Sequence, residues 1–341
     1  MTEMTPRERV LAALRMEELD RPPVAVFTQS ATIGQMEALG VYWPEAHSDP
    51  RLMAKLSAGQ ADILGFEAVR ATFCLTSEAE VLGAEVDPGK QNSQPMLKSH
   101  PFKGAYKAKE EPDLLAPEDV VSQGRPKVIL DAVEILVKEY GDRYPVIAGN
   151  TGPFTLAGHL VDTENLVFGI IMSPDEVGKW VKAAAEITDY FSQALSDAGA
   201  DVIQMSEPTA SCDLLSPEMF EEFAAPYLQG GYKKLKGAMS CLHICGNTYP
   251  ILDQMISTGA NALSIEEKVD PVKAVEKVAG RVPLVGNVGV VHPLLQGTPE
   301  DCIQHGKAVA ASGINVVSPG CGLSALISNE NLMALVKSVK G

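Results

Sequence analysis

Two good metal ligands stand two residues apart in the stretch MSCLHICGN, residues 239–247: His243 and Cys245. A third, Cys321, lies between two glycines in SPGCGL. One imidazole and two thiolates form a donor set that zinc favours, and three protein ligands leave a fourth position for a substrate. Structural zinc sites more often show paired C-x-x-C ligands, a spacing this chain lacks. With six histidines and six cysteines in 341 residues, about 0.1 H-x-C matches arise by chance, so the pair gains its meaning from where it sits. On spacing alone the other reading stays open: two small buried cysteines and a satisfied core histidine. Cys241 shares the parity of His243 but lies deeper in the run and reads as core. Cys74, Cys212 and Cys302 have no partners in pattern and read as structural.

The elements that must position these ligands are short apolar runs alternating with helical patterns. The strand candidates are PVAVF (23–27), DILGFEAV (62–69), PVIAGN (145–150), DVIQMS (201–206), MSCLHI (239–244), NALSIE (261–266), PLVGN (283–287) and INVVS (314–318). Helix starts are marked by TPRE at 5–8, SPDE at 173–176, SPEM at 216–219 and TPED at 298–301, each with an N-cap residue and a proline in the first turn. Helix ends followed directly by strands read DAGADVI, STGANALSI and ASGINVV, with glycine at the stop. Strand alternating with helix implies a parallel sheet covered on both faces. Eight runs in a chain of this length point to one α/β domain, a single (β/α)8 TIM barrel over residues 1–341. Residues 70–125 break the rhythm and read as an inserted hairpin excursion after the second strand, near the barrel mouth. An open doubly wound sheet is the runner-up, weakened by the lack of a G-x-G-x-x-G or P-loop motif after the early strands.

In a barrel, functional residues gather at the C-terminal ends of the strands. His243 and Cys245 stand at the end of the fifth run, and their spacing puts both on one face. Cys321 lies just past the eighth, which closes the barrel beside the first, so it reaches the same mouth from another side. Glu266 and Glu267 end the sixth run. Either they simply face solvent, or a carboxylate fills the open metal position until substrate displaces it; for that role Glu266, nearer the strand, is preferred.

Composition narrows the partners. Apolar content of 45% and charged content of 21% suit a large globular core. A formal charge of −16 and a pI near 4.8 argue against nucleic acid and anionic membrane surfaces. No apolar run approaches the ~18 residues of a membrane span, and the charged opening MTEMTPRERV is unlike a signal peptide. The expected setting is cytoplasmic, with reduced thiols.

At these residues the sequence resembles the uroporphyrinogen decarboxylase superfamily, and within it the zinc-dependent methylcobamide:coenzyme M methyltransferases. The likeness runs nearly end to end, through TPRERVLAALRMEELDRPPV, GNTGPFTLAGHL, GADVIQMSEPTASCDLLSPEMFEEFAAPY, LHICGN, SIEEKVD, LVGNV and SPGCGL. The methyltransferase branch is marked by H-x-C and a later cysteine, which fall on His243, Cys245 and Cys321. The decarboxylase branch carries an arginine-rich segment after its first strand, whereas VFTQSATIGQMEALG has no arginine, so a polyacidic tetrapyrrole has little to hold it.

The resemblance implies a zinc enzyme of methanogenesis that moves a methyl group from a methylcobamide to the thiol of coenzyme M. His243, Cys245 and Cys321 would activate the thiol, with Glu266 as the displaceable ligand. Glu207 and Asn287, at the ends of the fourth and seventh runs, are the candidates for lining the substrate pocket. None of the six histidines lies in a D-x-H-x-x-G cobalt-ligating pattern, so the corrinoid is expected on a methylated corrinoid protein docking over the mouth. Homocysteine or a folate as acceptor, or a non-catalytic corrinoid-binding barrel, are the alternatives.

Overall fold

The computed structural model describes residues 3–29, 31–105 and 111–341. Seven parallel strands form one sheet: β1 (Val69–Ala71), β4 (Val146–Thr151), β5 (Val202–Ser206), β6 (Met239–His243), β7 (Ala262–Ser264), β8 (Leu284–Val288) and β9 (Val316–Pro319), hydrogen-bonded in that order. The two short strands β2 (Val86–Asp87) and β3 (Met96–Leu97) pair antiparallel as a separate hairpin. The eighth barrel position is residues 23–27. There Val24 bridges Val317 in parallel, the Ala25 amide donates to Val317 O, and the Glu67 amide donates back to Val24 O. The sheet therefore closes on itself as a (β/α)8 barrel.

Seven of the eight runs fall on or within two residues of these positions; DILGFEAV does not. Its first residue ends the helix Pro50–Asp62, Gly65 turns the chain at φ +78°, and the strand begins only at Val69. Leu64 and Phe66 are buried, so an apolar run that serves helix end, turn and strand start looks the same as a strand. The hairpin excursion is present as β2 and β3, preceded by the helix Ser77–Val81; of the stretch expected there, residues 106–110 lie outside the described residues. The capping expected at the chain's start is formed: Thr5 and Glu8 cap each other at the helix Pro6–Leu14. The glycines before β5, β7 and β9, at 199, 259 and 313, all take positive φ.

Alternation along the strands sorts the barrel interior into an apolar bottom and a polar top. Ile147, Val202, Cys241, Ala262, Val285 and Val316 pack with Ala25, Phe27 and Ala68, and the helix Pro6–Leu14 plugs this end with Val10 and Leu14. Two residues further along the strands, and above, the inward positions become Thr151, Ser206, His243, Ser264, Asn287 and Ser318, all buried. At the N-terminal end, Glu67 is fully buried and accepts from Arg9, Arg21 and the Val24 amide, while Asp20 takes a further bond from Arg9. No helix among the described residues is long and apolar enough to cross a membrane.

Arg9 is itself 2% exposed, so removing its buried partner strands a charge. Glu67→Ala is expected to destabilise the fold by about 3–5 kcal/mol, read by denaturant unfolding followed by circular dichroism. A loss near zero would mean that Asp20 alone satisfies Arg9.

Candidate metal centre

The strand ends bring the three sequence-predicted donors together. His243 is the last residue of β6, Cys245 follows two residues on, and Cys321 lies two residues past β9. Cys245 Sγ is 3.3 Å from His243 Nε2 and 3.4 Å from Cys321 Sγ. All three donor atoms lie within 4.8 Å of one another, and this is the cluster of metal-ligand type found among the described residues. A tetrahedral ion with bonds of about 2.0–2.3 Å needs its donors at about this separation.

The surroundings aim the donors. Ser264, on β7 opposite His243 in register, stands with Oγ 3.0 Å from His243 Nδ1, which leaves Nε2 for the cluster. Ser211 Oγ donates to Cys245 O at 2.8 Å, and Thr28 Oγ1 donates to Cys321 O at 2.7 Å. Two glycines are needed for this closeness. Gly246, after Cys245, sits at φ +81°, and a Cβ there would fall 2.6 Å from Ser211 Oγ. A Cβ on Gly320, before Cys321, would fall 2.8 Å from Glu267 Oε2. Ser264, Ser211 and Thr28 were not singled out in the sequence; single hydroxyls at strand ends carry no pattern there.

Electrostatically the two sulfurs are unequal. The bonds Cys321 receives from Cys245 and His243 pull its thiol well below the usual range, whereas Cys245, as the partner that keeps the proton in a buried site facing Glu266 and Glu267, is pushed up. Two sulfurs and an imidazole this close form a donor set whose thiol protons are released when a divalent cation binds.

The carboxylates take different places. Glu266 Oε2 accepts from the Gly246 amide and Oε1 lies 4.0 Å from Lys268 Nζ, so its carboxylate stands beside Cys245 rather than within the three-donor cluster. Glu267 Oε1 accepts from the Val290 amide at 3.3 Å, and burial raises its pKa. Glu207 is fully buried with its carboxylate on the amides of Phe154 (3.0 Å) and Thr155 (2.5 Å), at the start of the helix Pro153–Val161. Burial pushes it up to about 7 against those bonds. Asn287 Nδ2 donates to Glu266 O and Val269 O, holding down the loop that carries both glutamates. Glu207 and Asn287 thus have backbone partners at the mouth.

A closed parallel barrel with an imidazole–dithiol cluster of metal-ligand type at its mouth defines the class. The profile of the uroporphyrinogen decarboxylase (URO-D) family matches residues 5–341, and the chain belongs to that family. It is 38% identical over 347 residues to the methylcobamide:CoM methyltransferase MtbA of Methanosarcina acetivorans, covering 100% of this chain and 99% of that protein. To the methylcobamide:CoM methyltransferase MtaA of Methanosarcina barkeri it is 35% identical, with 98% of each chain covered. A solved structure of a methyltransferase from Methanosarcina mazei superposes with a TM-score of 0.93 at 36% identity, again over 98% of each chain.

The sulfur contact is directly testable. Mild oxidation of metal-free protein with diamide is expected to join Cys245 to Cys321, lowering the titratable thiols of the denatured chain from six by one pair. Cys321→Ser should abolish that loss. Unchanged thiols in the wild type would place the two cysteines apart.

Proposed function

We propose that this chain transfers a methyl group from a methylated corrinoid to the thiol of coenzyme M, using a zinc ion held by His243, Cys245 and Cys321. The observation that carries this reading is the convergence of those three donors at the mouth of a barrel that is similar along its whole length to methylcobamide:CoM methyltransferases. Zinc suits the donor set because two sulfurs and one oriented nitrogen satisfy its preference and leave one position open.

Zinc bound there would hold the sulfur of the acceptor as a thiolate at neutral pH. Ser264 keeps the His243 ring turned so that Nε2 faces the cluster, and the bonds to Cys245 O and Cys321 O fix the loops that carry the sulfurs. Glu266, whose carboxylate is bonded to the Gly246 amide next to Cys245, would leave that amide to take the displaceable fourth position. The acceptor thiol gives its proton to solvent on binding. Its sulfur then attacks the methyl carbon in line: the S–C bond forms, the Co–C bond breaks, and that electron pair stays on cobalt, taking Co(III) to Co(I).

The corrinoid is assigned to a separate methylated corrinoid protein. Exposed apolar side chains stand on the mouth-side connections: Met96 on β3, Phe168 and Met172 on the helix Thr163–Met172, Leu214 after β5 and Leu326 after β9. The long helix Pro174–Asp197 runs back to the start of β5, which puts Met172 at the mouth end. Such side chains suit the anchor of a transient interface.

Single-turnover transfer from free methylcob(III)alamin to coenzyme M, with zinc counted in the same sample, tests the core reading. Cob(I)alamin formation that needs zinc, coenzyme M and Cys321 is expected. Transfer only to homocysteine or a folate would keep the site and change the acceptor; protein that holds no zinc would overturn the mechanism. Ser264→Ala should weaken zinc binding about 10–100-fold by chelator competition while leaving the fold intact. Met172→Asp should slow transfer from a methylated corrinoid protein roughly tenfold or more with little effect on free methylcobalamin; equal effects on both donors would remove Met172 from the interface.

A further inference from the structure

Beneath the three donors the barrel holds a charge that this mechanism does not use. Arg70, the central residue of β1, is fully buried inside the barrel. Its guanidinium fills the space over Gly149, where a side chain on β4 would collide with it. Unlike Arg9 at the bottom of the barrel, which meets Glu67 and Asp20, Arg70 has only neutral acceptors among the described residues: Phe27 O at 2.8 Å, Thr72 O, and Gln204 Oε1 at 2.8 Å. Those bonds use three of the five N–H groups of a guanidinium. The ionisable groups bearing on it are the thiols of Cys74 and Cys241. Burial lowers its pKa only to about 9, so it stays a cation at neutral pH. A buried charge without a counter-charge is costly, and is expected where an anion arrives to balance it.

The hydrogen bonds show where. Arginine can only donate, so it fixes the Gln204 amide with Oε1 toward itself and Nε2 toward Ser206 Oγ, 2.9 Å away. Gln29 Nε2 also donates to Ser206 Oγ, at 3.4 Å. With two amides donating to its oxygen, the Ser206 hydroxyl keeps its own proton for a further acceptor. In register Gln204 lies beside Cys241 and Ser206 lies beside His243, so the relay climbs from the layer beneath the site to the level of the site itself. Gln29 in turn borders Gly322, next to Cys321. The acceptor proposed above ends in a sulfonate, and it must enter a chain of charge −16 past Glu266 and Glu267. A cation set under uncharged donors offsets that repulsion.

We propose that Arg70, acting through Gln204 and Ser206, makes the floor of the mouth a receiving site for the anionic end of the acceptor thiol. The inference rests on the methyl-transfer reading and adds to it a determinant of specificity: Arg70 is a positioning residue that favours thiols with a negatively charged tail.

The test compares three acceptors of equal length with methylcob(III)alamin as donor and zinc-loaded protein: coenzyme M, neutral 2-mercaptoethanol and cationic 2-aminoethanethiol. Wild type should favour them in that order by kcat/KM. Arg70→Met should shrink the preference for coenzyme M over 2-mercaptoethanol by about tenfold or more, with the change in KM, and Arg70→Lys should restore part of it. Gln204→Glu, which pairs with Arg70 and cancels its charge in place, should shrink the same ratio; it carries the test if Arg70→Met does not fold. Ser206→Ala should lower the ratio by a smaller factor. Equal losses with all three thiols in the folded variants, or a wild type indifferent to tail charge, would overturn the proposal while leaving methyl transfer intact. A wild type that methylates none of the thiols would instead overturn the methyl-transfer reading on which it rests.

Discussion

Lateral hydrogen bonding of residues 23–27 to β9 on one side and to Glu67 on the other holds the arrangement together, because it turns an open sheet into a closed one. His243 and Cys321 come from strand ends separated in the sheet by β7 and β8. In a flat sheet, with strands about 4.8 Å apart, those ends would stand well over 10 Å from each other. Closure bends them toward one axis, and the loops after β6 and β9 then need only a short reach to bring Cys245 and Cys321 into contact at 3.4 Å.

Closure also creates an interior whose polarity changes with height. The lower layer is apolar and plugged by the helix Pro6–Leu14, which gives the barrel a packed base. Charge at that base is matched, with Arg9 and Arg21 converging on Glu67. The upper interior is lined by hydroxyls and amides, and its polar groups are left for something else to match: among the described residues Arg70 has no carboxylate partner, and two sulfurs stand 3.4 Å apart. Stability and function are therefore separated along the barrel axis. Buried groups at one end satisfy one another, while those at the other end include donors of metal-ligand type and an arginine on neutral acceptors.

That separation also explains why residues singled out at the mouth divide into two kinds. His243, Cys245 and Cys321 point their donor atoms at a common centre. Glu207 and Asn287 spend theirs on the backbone that frames it, one at the start of the helix Pro153–Val161 and the other on the loop bearing Glu266. A strand-end polar residue has both uses open to it, and the direction of the loop behind it decides which applies.

Much was legible without coordinates. The i, i+2 spacing of His243 and Cys245 places both on one face of any strand, and a rhythm of eight strands implies closure, which carries Cys321 to the same mouth. Caps at Thr5 and Thr298 follow from local chemistry that needs no partner from elsewhere in the chain. The start of the second strand was misjudged because Leu64 and Phe66 are buried whether the backbone is turn or strand. Ser264 and Arg70 were invisible for a different reason: a lone serine or arginine means nothing until register decides its neighbours. Only the pairing of β6 with β7 sets Ser264 against the ring of His243, and only that of β1 with β4 places Arg70 over Gly149. The sequence by itself determined which residues can bind an ion and at which end of the fold; the tertiary structure decided what orients them and what charge lies beneath, because those depend on contacts between strands that no local pattern encodes.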